Sequence, residues 1–249
     1  MGIVSNMDTL ESASKISLKD IRTMFRRLGD PKRAQHALRF FRTGPGEYGE
    51  GDMFLGITVP QIRNMIKPCL PLATADIVEL LHSHYHEERL LAALVLVAKF
   101  KQADEKQQKS IYNLYLKHKK YINGWDLVDL SAPNIVGTYL LDRDKSVLYK
   151  LVRSKSLWDR RIAIMATLPS IKQRRFDDTL HIAELLLQDK EDLIHKAVGW
   201  MLREIGKRDL EAEEAFLKVH YQHMPRTMLR YAIEKFAENR RQQYLKGKI

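Results

Sequence analysis

Small apolar residues recur about every 35 residues along this chain, and this spacing limits the folds open to it. Similar short segments surround Ala163, Ala197 and Ala232, which lie 34 and 35 residues apart (197 − 163 and 232 − 197). Two further steps of 35 residues towards the N-terminus reach Val128 and Ala93. A period of about 35 to 40 residues is typical of helix pairs in HEAT-like or armadillo-type α-solenoids. The repeat therefore predicts stacked antiparallel helix pairs with a concave groove.

Helical periodicity dominates elsewhere too. Ile21, Phe25 and Leu28 follow the i, i+4, i+7 spacing of an amphipathic helix. The apolar run at 90–98 is typical of a buried helix, and convincing strand alternation is hard to find. We therefore predict an all-α fold in three segments: a flexible N-terminus at 1–16, a single HEAT-like domain at 17–238 and a basic C-terminal tail at 239–249.

The charge balance favours a polyanionic partner. Lys and Arg total 42 against 31 Asp and Glu, which gives a formal net charge of +11. An excess of this size favours nucleic acid first and an anionic membrane surface second, and the groove is expected to be basic. A charge that serves only solubility stays open as the alternative.

Composition also suggests a compartment. The single cysteine, Cys69, excludes a disulfide within the chain and fits a reducing cytoplasm. The first 14 residues lack the pattern of a signal peptide, and the longest apolar run, 90–98, is too short to cross a bilayer. We expect a cytoplasmic, nucleoid-associated monomer with no membrane contact.

Motifs for cofactors and metals are not found. The glycine-rich segment 43–51 lacks the Lys-Ser/Thr ending of a phosphate-binding loop, and it is interpreted as a connector. His82, His84 and His86 alternate along the chain, a spacing that does not gather three ligands on one helix face. We expect no cofactor and no metal.

The segment around Trp125 carries the strongest candidate chemistry. Trp125 and Asp129 are four residues apart, so a helix places them on one face. A flat aromatic ring beside a carboxylate suits a cationic, flat substrate. The alternatives are ordinary: Asp129 at a helix start would complement the helix dipole, and Trp125 would pack in the core.

Further candidates lie at the repeat spacing. Trp200 follows Trp125 by 75 residues, about two repeats, so both indoles can reach one face. Basic residues recur in the same repeats, and such a stripe is typical of a protein that follows a phosphate backbone. The residues concerned are Arg160, Arg161, Lys196, Arg203 and Arg230.

Four segments resemble the AlkD-type DNA alkylation repair glycosylases, in the family's order from about residue 17 to 236. They are Phe54–Pro60, Trp125–Asp129, Leu157–Ala163 and Lys196–Glu204. The resemblance implies HEAT-like repeats with duplex DNA in a basic concave groove. It also implies hydrolysis of the N-glycosidic bond of positively charged N3- or N7-alkylated purines, such as 3-methyladenine and 7-methylguanine.

The same resemblance assigns the site residues. It gives the catalytic carboxylate to Asp129, the tryptophans that pack against the lesion's backbone and sugar to Trp125 and Trp200, and the arginine near the active-site phosphate to Arg161. Arg203 matches a further DNA-contacting position.

One departure and two alternatives accompany this assignment. Phe40 stands where close relatives of the best-known member carry a tyrosine, so a DNA contact through a hydroxyl is expected to be missing there. The family also contains members that bind DNA without evident base excision, which makes a non-catalytic DNA-binding protein the first alternative. A protein-interaction scaffold, the usual role of HEAT repeats, is the second.

Overall fold

Helices are the regular secondary structure of the described part of the chain. The computed structural model describes residues 16–249, where no strand occurs and one isolated bridge joins Met53 to Tyr85. The all-α prediction is confirmed, whereas the prediction for 1–16 falls, except for Ile16, outside the described residues. The α-helices are α1 Leu18–Leu28, α2 Pro31–Phe40, α3 Val59–Cys69, α4 Thr74–Leu81, α5 His86–Gln102, α6 Glu105–His118, α7 Trp125–Ala132, α8 Ser146–Leu151, α9 Leu157–Met165, α10 Leu168–Lys172, α11 Asp177–Leu185, α12 Asp192–Gly206, α13 Leu210–His220, α14 Arg226–Ala232 and α15 Glu238–Leu245.

Local sequence signals explain several helix starts. Ser17 and Asp20 form a reciprocal capping box at the start of α1, so that two backbone N–H groups gain acceptors. Asp30 accepts hydrogen bonds from the N–H groups of residues 32 and 33, and Pro31 fills the first position of α2. These caps satisfy N–H groups that the helix itself leaves without partners.

The recurring small residues mark the buried face of five helices. Ala93, Val128, Ala163, Ala197 and Ala232 are each 0% exposed, and they lie on α5, α7, α9, α12 and α14. These helices contact one another in that order, α5 to α7, α7 to α9, α9 to α12 and α12 to α14. A short side chain at each position lets neighbouring helices approach closely, which explains the spacing seen in the sequence.

The C-terminal segment packs onto the domain. Its predicted start at residue 239 falls inside α15, and Tyr244 on that helix is 1% exposed. The ring of Tyr244 meets Phe236 and Tyr221 edge to face, at centroid distances of 5.7 and 5.4 Å. The prediction of a separate basic tail missed this aromatic anchor, which gives residues 238–245 an apolar face to bury.

Two structural features do not occur in residues 16–249. No helix there is long and apolar enough to cross a membrane. No group of three or more His, Cys, Asp or Glu side chains is arranged in that range to hold a metal ion.

Candidate active site

A cleft of about 460 Å³ collects most of the predicted site residues. Its walls come from α7, α9, α12, α14, the last residue of α2 and the segment that follows α2. The lining residues are Phe40, Arg42, Tyr48, Trp125, Asp129, Arg161, Glu191, Asp192, Leu193, Lys196, Trp200 and Tyr231.

The first two turns of α7 present an indole and a carboxylate on the same side of the helix. The helix begins at Trp125, directly after Gly124 in extended conformation, so Trp125 and Asp129 lie one turn apart and both line the cleft. The Trp125 ring stacks on Phe41 at a centroid distance of 5.6 Å and an angle of 12°, and Phe40 meets it edge-on at 6.0 Å. Trp125 is therefore a half-buried wall of the cleft, which sets aside the core-packing alternative.

Asp129 is held by a bidentate ion pair. Arg161 on α9 donates from Nε to Asp129 Oδ1 at 2.9 Å and from Nη2 to Oδ2 at 2.8 Å. Its Nη1 donates to the carbonyl of Leu193. The Arg161 side chain is 5% exposed and that of Asp129 is 13% exposed. Arg161 thus fixes the carboxylate and also lines the cleft, and its contact with a DNA phosphate stays a prediction.

Burial sets the acidity of this carboxyl group. Burial raises the pKa of Asp129 above its ordinary value of 3.8, and the nearby Asp126 adds to the rise. The charge and hydrogen bonds of Arg161 act in the opposite direction and favour the ionised form. The site therefore holds a desolvated carboxylate whose negative charge depends on one guanidinium.

The second indole comes from α12. Trp200 is half-buried, and its Nε1 donates to Glu204 Oε1 at 3.3 Å. Lys196 lies one turn earlier on the same helix and pairs with Asp192 at 2.6 Å. Both Trp200 and Lys196 line the cleft, as the sequence analysis expected.

Three predicted DNA contacts lie outside the cleft lining. Arg160 pairs with Asp189 through two hydrogen bonds of 2.5 and 3.2 Å. Arg203 pairs with Glu234, and its side chain is 15% exposed. Arg230 is exposed on α14. Contact of these three residues with DNA stays a prediction.

The segment after α2 contributes residues that the sequence analysis did not place in the site. Tyr48, in the glycine-rich stretch interpreted as a connector, lines the cleft, and so does Arg42 just before that stretch. The Tyr48 hydroxyl donates to the carbonyl of Phe40 at 3.3 Å, and its ring meets Trp158 edge-on at 5.9 Å. The sequence signal that could have placed this segment in the site was an aromatic residue, Tyr48, between glycines at 46 and 49.

Formal charges balance along the cleft walls. Asp129, Glu191 and Asp192 offset Arg42, Arg161 and Lys196. Two of the cations are paired, Arg161 with Asp129 and Lys196 with Asp192. A predominantly basic groove, as predicted from the net charge, is therefore not a property of the cleft lining itself.

A buried charged network supports α7 from behind. His86 is 2% exposed and lies between Asp126, at 2.8 Å from Nε2, and Asp52, at 3.2 Å from Nδ1. Burial alone would lower the pKa of His86, but the two carboxylates outweigh it and raise the pKa to about 9. A protonated His86 donates from both ring nitrogens, and it ties the residue next to Trp125 to the core.

Comparisons with known proteins indicate the family of the chain. The model of a family described as DNA alkylation repair enzyme matches residues 21–236. A solved structure described as a predicted DNA alkylation repair enzyme from Enterococcus faecalis is similar in fold, with a TM-score of 0.64 and 15% sequence identity. The match covers 84% of this chain and 97% of that one. A comparison with curated proteins finds no significant match.

Proposed function

The chain belongs to the DNA alkylation repair enzyme family, and on this premise we propose that it is a DNA glycosylase. Its substrates would be N3- and N7-alkylated purines such as 3-methyladenine and 7-methylguanine in duplex DNA. It would bind DNA as a monomer along a HEAT-like solenoid, and the cleft would receive the damaged nucleotide.

One arrangement carries the proposal. A desolvated carboxylate, Asp129, lies in a cleft that is walled by the indoles of Trp125 and Trp200. Negative charge and π-faces both attract positive charge, and water is largely excluded from the carboxylate. The cleft is therefore suited to a reaction in which positive charge develops.

Cleavage of an alkylated purine is such a reaction. Glycoside hydrolysis ordinarily uses two carboxylates, because the leaving group must be protonated. A purine alkylated at N3 or N7 is already cationic and leaves as a neutral base, so no general acid is required. The bond between the sugar carbon and the base nitrogen breaks, its electron pair goes to the base, and the sugar becomes oxocarbenium-like. A single carboxylate then suffices.

Asp129 would stabilise that sugar and position the attacking water. The bidentate pair uses one lone pair on each carboxylate oxygen, and each oxygen keeps another. The free lone pairs can accept a hydrogen bond from water while the carboxylate charge faces the oxocarbenium ion. Trp125 and Trp200 would also stabilise the positive charge as it moves onto the sugar, by about 0.5–2 kcal/mol for each indole face.

The test is single-turnover release of 7-methylguanine from a defined duplex. Asp129→Asn is expected to lower the rate by at least about 10²-fold while duplex affinity stays within a few-fold of the native value. Asp192→Asn is the matched control, because it alters another ion-paired carboxylate of the same cleft. Equal losses in the two variants, or a native rate equal to spontaneous release, would refute the catalytic role.

A second candidate is a non-catalytic DNA-binding protein of the same family. The observation that favours it is the buried Arg161–Asp129 pair itself, since a carboxylate held at both oxygens also suits a purely structural contact. This candidate predicts salt-dependent binding of undamaged duplex and no base release by the native chain. The same assay therefore separates the two functions.

A further inference from the structure

Of the basic side chains that line the cleft, Arg42 differs from the other two. Arg161 and Lys196 are paired with carboxylates, whereas no carboxylate within the described residues lies at ion-pair distance from Arg42. Arg42 is exposed, so its guanidinium is accessible to a ligand. The cleft thus presents one arginine whose charge is not already neutralised by a partner.

The backbone holds Arg42 in an unusual conformation. Its φ is +49°, in the left-handed region that residues with a side chain rarely adopt. Gly49 donates its N–H to the carbonyl of Arg42 at 3.1 Å. A Cβ at Gly49 would lie 2.4 Å from the carbonyl oxygen of Phe41, so only glycine permits this approach. The glycine-rich segment 43–51, here called the loop, therefore folds back on residues 41 and 42. This packing fixes the backbone conformation at Arg42 and with it the direction of the Arg42 side chain.

Both ends of the loop are tied to the core. At its start Phe41 stacks between Trp125 and the Phe54 ring, the latter at 5.0 Å. At its end Asp52 pairs with Arg89 at 2.7 Å and with His86 at 3.2 Å. These contacts make the loop a fixed wall of the cleft.

The acidic residues of the loop do not form ion pairs with Arg42. Glu47 Oε2 accepts the N–H of Gly44 at 2.9 Å, and Glu50 Oε2 accepts the N–H of Gly46 at 2.9 Å. Their carboxylates thus stabilise the loop backbone itself. Tyr48, which lies between them, turns to the cleft, and burial raises the pKa of its hydroxyl so that it stays a neutral donor.

We propose that Arg42 and Tyr48 form a phosphate-binding wall that contacts a backbone phosphodiester of the bound DNA strand. On the side of the cleft formed by the loop, Arg42 supplies the charge and Tyr48 supplies a neutral hydroxyl. The single proton of that hydroxyl is directed at the Phe40 carbonyl at 3.3 Å in the free chain, and it turns to the phosphate when DNA is bound. This inference rests on the proposed function for the identity of the polyanion.

Salt dependence of duplex binding tests the charge. Each phosphate neutralised by a cationic side chain contributes about −0.9 to the slope of log K against log salt concentration. Arg42→Ala is expected to reduce the steepness of that slope by about 0.9 and to weaken low-salt binding of undamaged duplex about tenfold. Arg42→Lys should restore the slope, because the charge returns. Arg39→Ala is the matched control: Arg39 is exposed in the last turn of α2 and does not line the cleft.

Tyr48→Phe tests the hydroxyl. Because this donor is uncharged, its removal should weaken binding a few-fold, in the order of one neutral hydrogen bond, without changing the slope. An unchanged slope in Arg42→Ala, or an equal change in Arg39→Ala, overturns the proposal. Since undamaged duplex is used, these outcomes are independent of base release, and failure of the glycosylase proposal is read separately from the excision assay.

Discussion

Arg161 and Asp129 meet face to face across 32 residues of sequence, with two hydrogen bonds of 2.9 and 2.8 Å joining guanidinium to carboxylate. The contact joins α9 to α7, so the helix packing itself determines the direction of the carboxylate. Such fork-shaped pairs are stronger and more directional than single hydrogen bonds. The pair therefore links the stability of the fold to the charge state of the proposed catalytic group.

The pH dependence of base release should report this pair. Burial raises the pKa of Asp129 above its ordinary value, and the ionised form is required, so the rate should fall as pH falls through a pKa above that of an ordinary aspartate. Arg161→Ala removes the group that opposes the rise, and it should move this acid limb to higher pH. Single-turnover rates across pH, corrected for spontaneous release, measure the shift.

A conservative variant separates charge from geometry. Arg161→Lys keeps the positive charge but loses the planar fork, so its acid limb should lie closer to that of the native chain while its maximal rate is reduced. An Arg161→Ala limb at the native pH, in a variant that remains folded by circular dichroism, would contradict the electrostatic role.

His86 should make stability depend on alkaline pH. Its pKa is raised from 6.5 to about 9 in the folded chain. A base with a raised folded pKa contributes stability that is fully present below 6.5 and lost as pH rises through about 9. The contribution is on the order of 3 kcal/mol, because one pKa unit corresponds to about 1.4 kcal/mol.

Chemical denaturation at several pH values checks this. His86→Gln should be less stable than the native chain below pH 6.5, because Asp52 and Asp126 lose their charged partner, and the difference should narrow towards pH 9. His84→Gln, at an exposed neighbouring position, is the control and should follow the native profile. A constant difference between His86→Gln and the native chain at all pH values would show that the histidine acts without its charge.

Spacing along single helices was predictable from the sequence. Trp125 and Asp129 share the cleft because residues four apart lie on one helix face. Ala163 and its counterparts are buried because each of their helices packs that face against a neighbouring helix. Both arguments need only the helical period, which follows from the spacing of apolar residues along the sequence.

Contacts between distant segments were not predictable in the same way. The resemblance placed Asp129 and Arg161 in one site, but their mutual pairing depends on how α7 packs on α9. Arg42 and Tyr48 reach the cleft because Asp52 ties the loop to α5 through Arg89, an ion pair across 37 residues (89 − 52). The sequence shows that the loop is rich in glycine. Nothing in its composition indicates the Asp52–Arg89 ion pair that positions the loop.

Glu213 should lower the stability of the native chain at neutral and alkaline pH. It is 1% exposed, and its Oε1 has no hydrogen-bond partner within the described residues. Burial, and to a smaller extent Glu214, raise the pKa of Glu213 from 4.5 to about 8. An acid with a raised folded pKa makes the free energy of unfolding fall as pH rises from 4.5 to about 8, after which the loss is complete.

Glu213→Gln should therefore stabilise the chain above pH 8, by an amount on the order of a few kcal/mol. The amide keeps the shape of the side chain and cannot ionise, so the fall in stability between acid and alkaline pH should become shallower. Thermal or urea denaturation at pH 5 and pH 9 measures it, with Glu211→Gln on the exposed side of α13 as the control. Equal pH profiles for native and Glu213→Gln would place the ionisation elsewhere.

Gly199 should be intolerant of even a methyl group, because α12 and α14 lie very close together there. A Cβ at this position would lie 2.4 Å from the carbonyl oxygen of Met228 and 2.5 Å from the Cβ of Tyr231. Gly199→Ala must push the two helices apart, at a cost of about 1–3 kcal/mol in the free energy of unfolding. Trp200 and Tyr231 both line the cleft, so the same displacement should reduce base release. Denaturation and single-turnover assays on Gly199→Ala, beside an exposed Lys218→Ala control, test both effects, and a variant as stable and active as the native chain would mean that the helices separate freely.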